Sequence, residues 1–367
     1  MKVKAKARDA RIDIVRGVAM LTILINHITG GFRIYGFDGV EILTPTSVGY
    51  ASAAPLFVIM SGYMVGMVYL RKAKPAVAIL KRASTLYAYN TLLLASLLPG
   101  LIFMSDLEVK SWGADFIVNG GLLGWTKFLA LWKAPMPLDV LRLYVISMLL
   151  TPAAIWVYRR SPMMLAAGSI AIWLVCQLAA VTRFIDPGTV RWGFNAAAWQ
   201  LLFFIPLILG ASRAHESFFG LLENRKWLTF AVAAAAVALA AAKIHQADSA
   251  FPGSWYLSLK GNLGPLRLAH ACIMLALYCG LLSLSARIPE LPPMRALACL
   301  GRQTLKCYVL SVWLTYVLAV TWGRLGSGNW GYYAAVASVV VVTFLAAAIF
   351  ENPSTRHAKL MKPEPAL

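Results

Sequence analysis

IDIVRGVAMLTILINHITG, residues 12–30, is the stretch on which the fold turns. It approaches the ~20 residues that an α-helix needs to cross the hydrocarbon core of a bilayer. Within it stand four strongly polar side chains, Asp13, Arg16, Asn26 and His27. Outward from it, apolar runs recur at roughly 51–70, 79–104, 141–158, 163–182, 197–212, 228–243, 264–286, 300–322 and 330–350, giving about ten candidate spans in all. Composition agrees: of 367 residues, 60% are hydrophobic and 13% charged, with a mean hydropathy of +0.69. A soluble domain carries about 25% charged residues. Disorder, collagen, coiled coil and a disulfide scaffold are excluded on the same ground. The expected fold class is all-α, a polytopic membrane protein.

Lysine and arginine total 34 against 15 acidic residues, a net charge of +19. In a soluble chain that excess would suggest nucleic acid. Here it lies in the short segments between apolar runs, which is how membrane topology is encoded. With the N-terminus placed in the cytoplasm, the basic residues fall roughly two to one on the inner side, so both termini are expected inside. The first apolar run carries Asp13 and Arg16 and lacks a small-residue cleavage site, so no cleavable signal peptide is expected. The segments 1–11 and 351–367 read as cytoplasmic tails around a membrane domain over 12–350. Five cysteines, Cys176, Cys272, Cys279, Cys299 and Cys307, show no metal-ligand spacing and read as packing thiols. No metal site is expected.

Ionisable groups within a span are costly, which makes each a functional candidate. At 100° per residue, Asp13, Arg16 and His27 lie within about 40° of one helical stripe. Arg16 and His27 are separated by about 16 Å of helix rise, half the thickness of the ~30 Å core. The stripe admits two readings: a reactive histidine above a positive mouth, or a histidine bonded to a neighbouring helix above an Asp13–Arg16 pair that fixes the span. A second set, Asn195, Trp199 and Gln200, enters the sixth span, and buried amides there also bridge helices. A third set is Asn262, Arg267 and His270; Arg267 and His270 lie one turn apart on a helix that Pro265 can start. Lys81, Arg82 and Arg302 open the third and ninth spans from inside, as phosphate-binding cations or as topology signals. The loops at 105–140 and 244–262, expected outside, contain Trp112, Trp125, Trp132 and Trp255, either as an interfacial belt or as a saccharide groove.

Together RIDIVRGVAMLTILINH (11–27), FVIMSGYMVG (57–66), WGFNAAAWQ (192–200), NLGPLRLAH (262–270) and LGRQTLKCYVLS (300–311) resemble, in order over most of the chain, the OpgC family within the acyltransferase-3 superfamily. The resemblance implies a ten-helix inner-membrane enzyme that succinylates osmoregulated periplasmic glucans with succinyl-CoA as donor. It implies that His27 is the superfamily histidine and Arg16 its upstream arginine, with Lys81 and Arg82 as the basic pair of the third span. Two positions depart from the pattern. Asn26 stands where many relatives have Asp, which removes a carboxylate–imidazole pair at that position, and Ala196 stands where relatives often have Pro.

O-Acylation from a thioester needs a base, a donor held in reach and stabilisation of an oxyanion. His27 suits the base, with Asn26 and Asp13 beside it in the catalytic set. Arg16, Lys81, Arg82 and Arg302 suit the phosphates of CoA. Asn195, Trp199, Gln200, Arg267 and His270 are the candidate acceptor residues. The expected partners are a periplasmic β-glucan, an acyl-CoA and the bilayer, with no nucleic acid, no permanently bound cofactor, and room for a homodimer. A related O-acetyltransferase acting on another polysaccharide, or a transporter, is the alternative; transporters often show two related halves with broken helices, and no such repeat is visible.

Overall fold

The computed structural model describes residues 9–50, 53–182, 193–246, 255–326 and 328–351. The expected tails, apart from Asp9, Ala10 and Arg11 at one end and Glu351 at the other, lie outside the described residues, as do Trp192 of the sixth-span motif and residues 247–254 of the 244–262 loop. Among the described residues every regular element is helical. In chain order the α-helices are α1 (Ala10–Ile34), α2 (Pro45–Val48), α3 (Ala53–Tyr69), α4 (Pro75–Ile102), α5 (Asp106–Ser111), α6 (Asp115–Val118), α7 (Gly121–Leu129), α8 (Asp139–Arg160) and α9 (Pro162–Val181). They continue as α10 (Ala196–Trp199), α11 (Leu201–Ala211), α12 (Ala214–Asn224), α13 (Trp227–Gln246), α14 (Pro265–Ser283), α15 (Pro292–Arg302), α16 (Thr304–Leu325) and α17 (Gly328–Phe350).

Eight of these, α1, α4, α8, α9, α13, α14, α16 and α17, are long and apolar enough to cross a membrane. The chain is a multi-pass membrane protein. Two of the ten expected segments differ from a plain span. The second, α3, is apolar but has only 17 residues. The sixth is broken: the α10–α11 stretch meets α12 at 85°, making one bent span at most. Arg213 makes the corner with φ of 55°, a left-handed conformation that costs a non-glycine residue energy and that no hydropathy pattern announces. The ninth span also starts later than expected. α15 ends at Arg302 and α16 starts at Thr304, so Arg302 closes a short helix instead of opening a long one.

α1 is the axis of the bundle. Two-thirds of its spanning window (67%) is buried, against 11–50% for the other long helices. It packs on α15, α16, α3, α17 and α14. Asp9 caps it: its carboxylate accepts from the Arg11 backbone N–H at 2.9 Å. Partial burial would raise the Asp9 pKa, but the Arg11 side-chain and backbone hydrogen bonds outweigh that and hold it below the usual carboxylate range.

Helices associate in lipid by close backbone approach, because apolar surface alone gains little there. Two contacts are built that way. On α3, Gly62 and Gly66 sit against the Phe203 and Leu207 carbonyls of α11, where an added Cβ would fall 2.1 and 2.0 Å away. On α15, Gly301 meets the Asp13 carbonyl of α1, where a Cβ would fall at 1.8 Å. The second contact brings α15 and the start of α16 against the lower part of the polar stripe of α1.

Candidate active site

The stripe on α1 divides into two neighbourhoods. At its start Asp13 is almost fully buried and lies 3.6 Å from Arg16 and 4.0 Å from Arg302. Arg302 also forks onto Glu351 at the end of α17, with one of its two bonds at 2.8 Å. Arg16 donates to Thr304 Oγ1 at 3.0 Å. Asp13 therefore sits among the cations that tie α1, α15, α16 and α17 together. It stands fourteen residues, about 21 Å of helix rise, from His27. The expectation that Asp13 joins the histidine in a catalytic set is corrected accordingly: its carboxylate faces Arg16 and Arg302.

The four expected donor-side cations part company. Arg16 and Arg82 line one small cavity of about 40 Å³ together with Ser61, Thr304 and Tyr308. Lys81 is exposed and outside that lining, because adjacent helical residues point 100° apart. Arg302 is outside it as well, committed to Glu351 and Asp13.

Eleven residues further along α1, His27 lines a second cavity of about 150 Å³. The two cavities share Val140 and approach each other at an edge-on contact between His27 and Tyr308, 5.8 Å between ring centroids at 74°. Among the described residues His27 Nδ1 is buried with no hydrogen-bond partner. A second ring proton would thus be buried without an acceptor, which favours the neutral imidazole. Asn26 lines the same cavity but does not orient the histidine. Its Oδ1 accepts from Thr44 Oγ1 at 2.8 Å, and its Nδ2 donates to Thr46 Oγ1 at 2.7 Å. Asn26 anchors α2 as a wall of the cavity, and Lys243 closes that helix by donating to the carbonyls of Thr46, Ser47 and Gly49.

The far wall contains residues that the sequence did not single out: Asp139, Lys260, Phe194 and the Met136–Pro137 pair. Tyr308 and Tyr316 hold that pair by donating to the carbonyls of Pro137 and Met136. Trp112 stacks on Tyr316 at 4.1 Å and also lines the cavity. Of the tryptophans in the 105–140 loop, Trp112 therefore belongs to the cavity wall, whereas Trp132 is exposed.

The five expected acceptor residues do not line the cavity. Three of them build the support beneath it. Trp199 Nε1 donates to the carbonyls of Lys260 and Gly261, both at 3.1 Å. The Asn195 backbone N–H donates to the Gly261 carbonyl at 2.9 Å, and its Nδ2 to Asn262 Oδ1 at 2.8 Å. Asn262 in turn donates to the Cys176 carbonyl at 2.6 Å. Gln200 fastens α11 to α9 through Ser169, accepting at 2.6 Å from the hydroxyl and donating at 2.8 Å to the carbonyl. Asn195 and Trp199 of the WGFNAAAWQ segment thus form one clamp on residues 260–262, and the clamp sets Lys260 at the cavity. Arg267 donates to the Ser258 carbonyl at 3.1 Å, and His270 packs edge-on to Tyr50 at 6.4 Å. Both act on loops around the cavity.

The signals for the overlooked residues were slight. Asp139 lies two residues before the expected start of the fourth span, and Lys260 precedes the third polar set by two, positions where charge is ordinary. Tyr308 sat in a quoted motif as one aromatic among several.

No curated protein and no solved structure matches the chain. The family described as OpgC protein matches residues 8–355, from the cap of α1 to beyond α17, and the chain belongs to that family.

Proposed function

We propose that this OpgC-family protein is an acyltransferase of the bacterial inner membrane that moves a succinyl group from succinyl-CoA to glucose hydroxyls of osmoregulated periplasmic glucans. The observation that carries the reading is the pair of cavities meeting at the His27–Tyr308 contact, one bearing Arg16 and Arg82 and the other bearing His27. In this reading both termini are cytoplasmic, as the basic-residue bias favours.

The donor enters from the Arg16 end. Arg16 and Arg82 attract the phosphates of CoA, and the pantetheine arm spans the ~16 Å of helix rise to His27. The glucan hydroxyl approaches from the Lys260 end. Neutral His27 takes the hydroxyl proton as the oxygen attacks the thioester carbonyl, and a C–O bond forms. The tetrahedral oxyanion collapses, the C–S bond breaks, and the CoA thiolate leaves. The imidazolium returns the proton to that sulfur, so the products are a succinyl ester and CoA thiol. A buried imidazole lacking a fixed partner on Nδ1 serves this cycle because its proton is not committed elsewhere.

The purified protein in detergent tests the reading. Free CoA thiol should accumulate from succinyl-CoA only when glucan is present, in step with ester formed on the glucan. Thiol release independent of glucan, or none at all, contradicts transfer.

A further inference from the structure

The lining of the His27 cavity holds one ammonium, Lys260, and one carboxylate, Asp139. Among the described residues Asp139 is the one carboxylate in its lining, and it lies in the fields of two cations, Lys260 and Arg142. No ion pair within 4.0 Å joins Asp139 to either of them; its carboxylate accepts from the Val140 backbone N–H at 2.9 Å. The Arg142 guanidinium is directed to the carbonyls of Leu131, Trp132 and Phe194. Lys260 is placed otherwise. Its ammonium lies 5.1 Å from the Phe194 ring centroid, its field reaches His27, and it is exposed while still lining the cavity. Arg142 lies outside the lining, so Lys260 is the cation there, and among the described residues its ammonium is in no ion pair within 4.0 Å.

We infer that Lys260 binds the carboxylate at the far end of the acyl group and so selects a dicarboxylic acyl donor over an unbranched monocarboxylic one. The inference rests on the acyltransferase reading and deepens it by assigning the acyl subsite. A thioester presented to His27 from the Arg16 side has its acyl chain directed onward into the cavity. A four-carbon chain ending in a carboxylate would meet Lys260 there and pair with its ammonium. An acetyl group ends short of it and leaves the ammonium unmatched. The lysine suits selection because its backbone is fixed. Its carbonyl is held by Trp199 and the next residue by Asn195, so little ordering remains to be done when the carboxylate arrives. This gives the clamp of Asn195, Trp199 and Asn262 a purpose that contact with the glucan does not.

The test compares two donors of equal chain length, succinyl-CoA and butyryl-CoA, with purified wild-type protein, Lys260→Gln and Lys260→Glu at saturating glucan. A charge-assisted hydrogen bond supports a fall of about 10- to 100-fold in kcat/KM for succinyl-CoA in Lys260→Gln. Butyryl transfer should stay within about twofold, which also reports that the variant is folded. Lys260→Glu should lower succinyl transfer further through like-charge repulsion and spare butyryl transfer. Equal losses for both donors would overturn the inference and assign Lys260 to the glucan or to the chemistry. An unchanged succinyl-to-butyryl ratio in both variants would overturn it as well. Wild-type protein that transfers neither group would instead bring down the acyltransferase reading itself.

Discussion

His27→Ala should lower succinyl transfer by 10²–10⁴-fold, the usual cost of losing a general base, and leave the protein folded in the membrane. The fold should survive because the imidazole bridges little. Among the described residues its Nδ1 has no hydrogen-bond partner, and its ring contact is an edge-on approach to Tyr308. Removing it takes no partner away from a buried polar group elsewhere. The comparison that checks this is the initial rate of glucan ester formation at equal amounts of monodisperse protein. Near-normal rates in His27→Ala would remove the base from the mechanism and return the histidine to a packing role.

Gly30→Leu should be nearly as damaging, by a different route. Gly30 lies one turn beyond His27 on α1 and lines the same cavity, and a Cβ built on it meets nothing within 4 Å. The neighbouring Gly31 has no such room, since its Cβ would lie 3.0 Å from the Trp112 ring. A leucine at 30 would extend into the cavity of about 150 Å³ without disturbing the helix contacts. Displacing a reacting group by about 1 Å can cost 10²-fold, so transfer should fall by at least about that factor. Stability should move the other way. Glycine within a helix costs roughly 0.5–1 kcal/mol relative to alanine, so Gly30→Ala should melt slightly higher than wild type. Thermal melting and transfer rate measured on the same preparations check both. Full activity in Gly30→Leu would show that the cavity is not where the substrates meet.

Much of this arrangement was legible in the sequence. Hydropathy located the ten apolar segments, because a bilayer span must be apolar over a length set by the membrane. The 3.6-residue period put Asp13, Arg16 and His27 on one stripe, and cost in lipid marked them as special. The same reasoning stopped at contacts between distant segments. Asn195 and Trp199 stood out as polar or amphipathic residues, but their grip on residues 260–262 crosses more than sixty positions, and no local pattern encodes it. Lys260 and Asp139 were invisible for the opposite reason: charge at the end of a span is expected, and only the clamp and the start of α8 bring these two to the cavity. Arg302 was read as opening a long helix because the break at Gln303 has no proline to signal it, and Gly301 reads as a packing glycine within the run. Asp13 was misjudged because a shared stripe gives direction and ignores the fourteen residues of rise between it and His27.

In the proposed reaction His27 lies between two separate entrances, one for the donor and one for the acceptor. Transfer across sealed proteoliposomes of known orientation tests it most directly, since neither a charged CoA nor a large glucan crosses lipid. Succinyl-CoA supplied on the face bearing the termini, with glucan on the opposite face, should give ester at the full rate. Both substrates on either single face should give little product. Efficient transfer with both substrates on the glucan face alone would contradict the account, even if His27 proved to be the base.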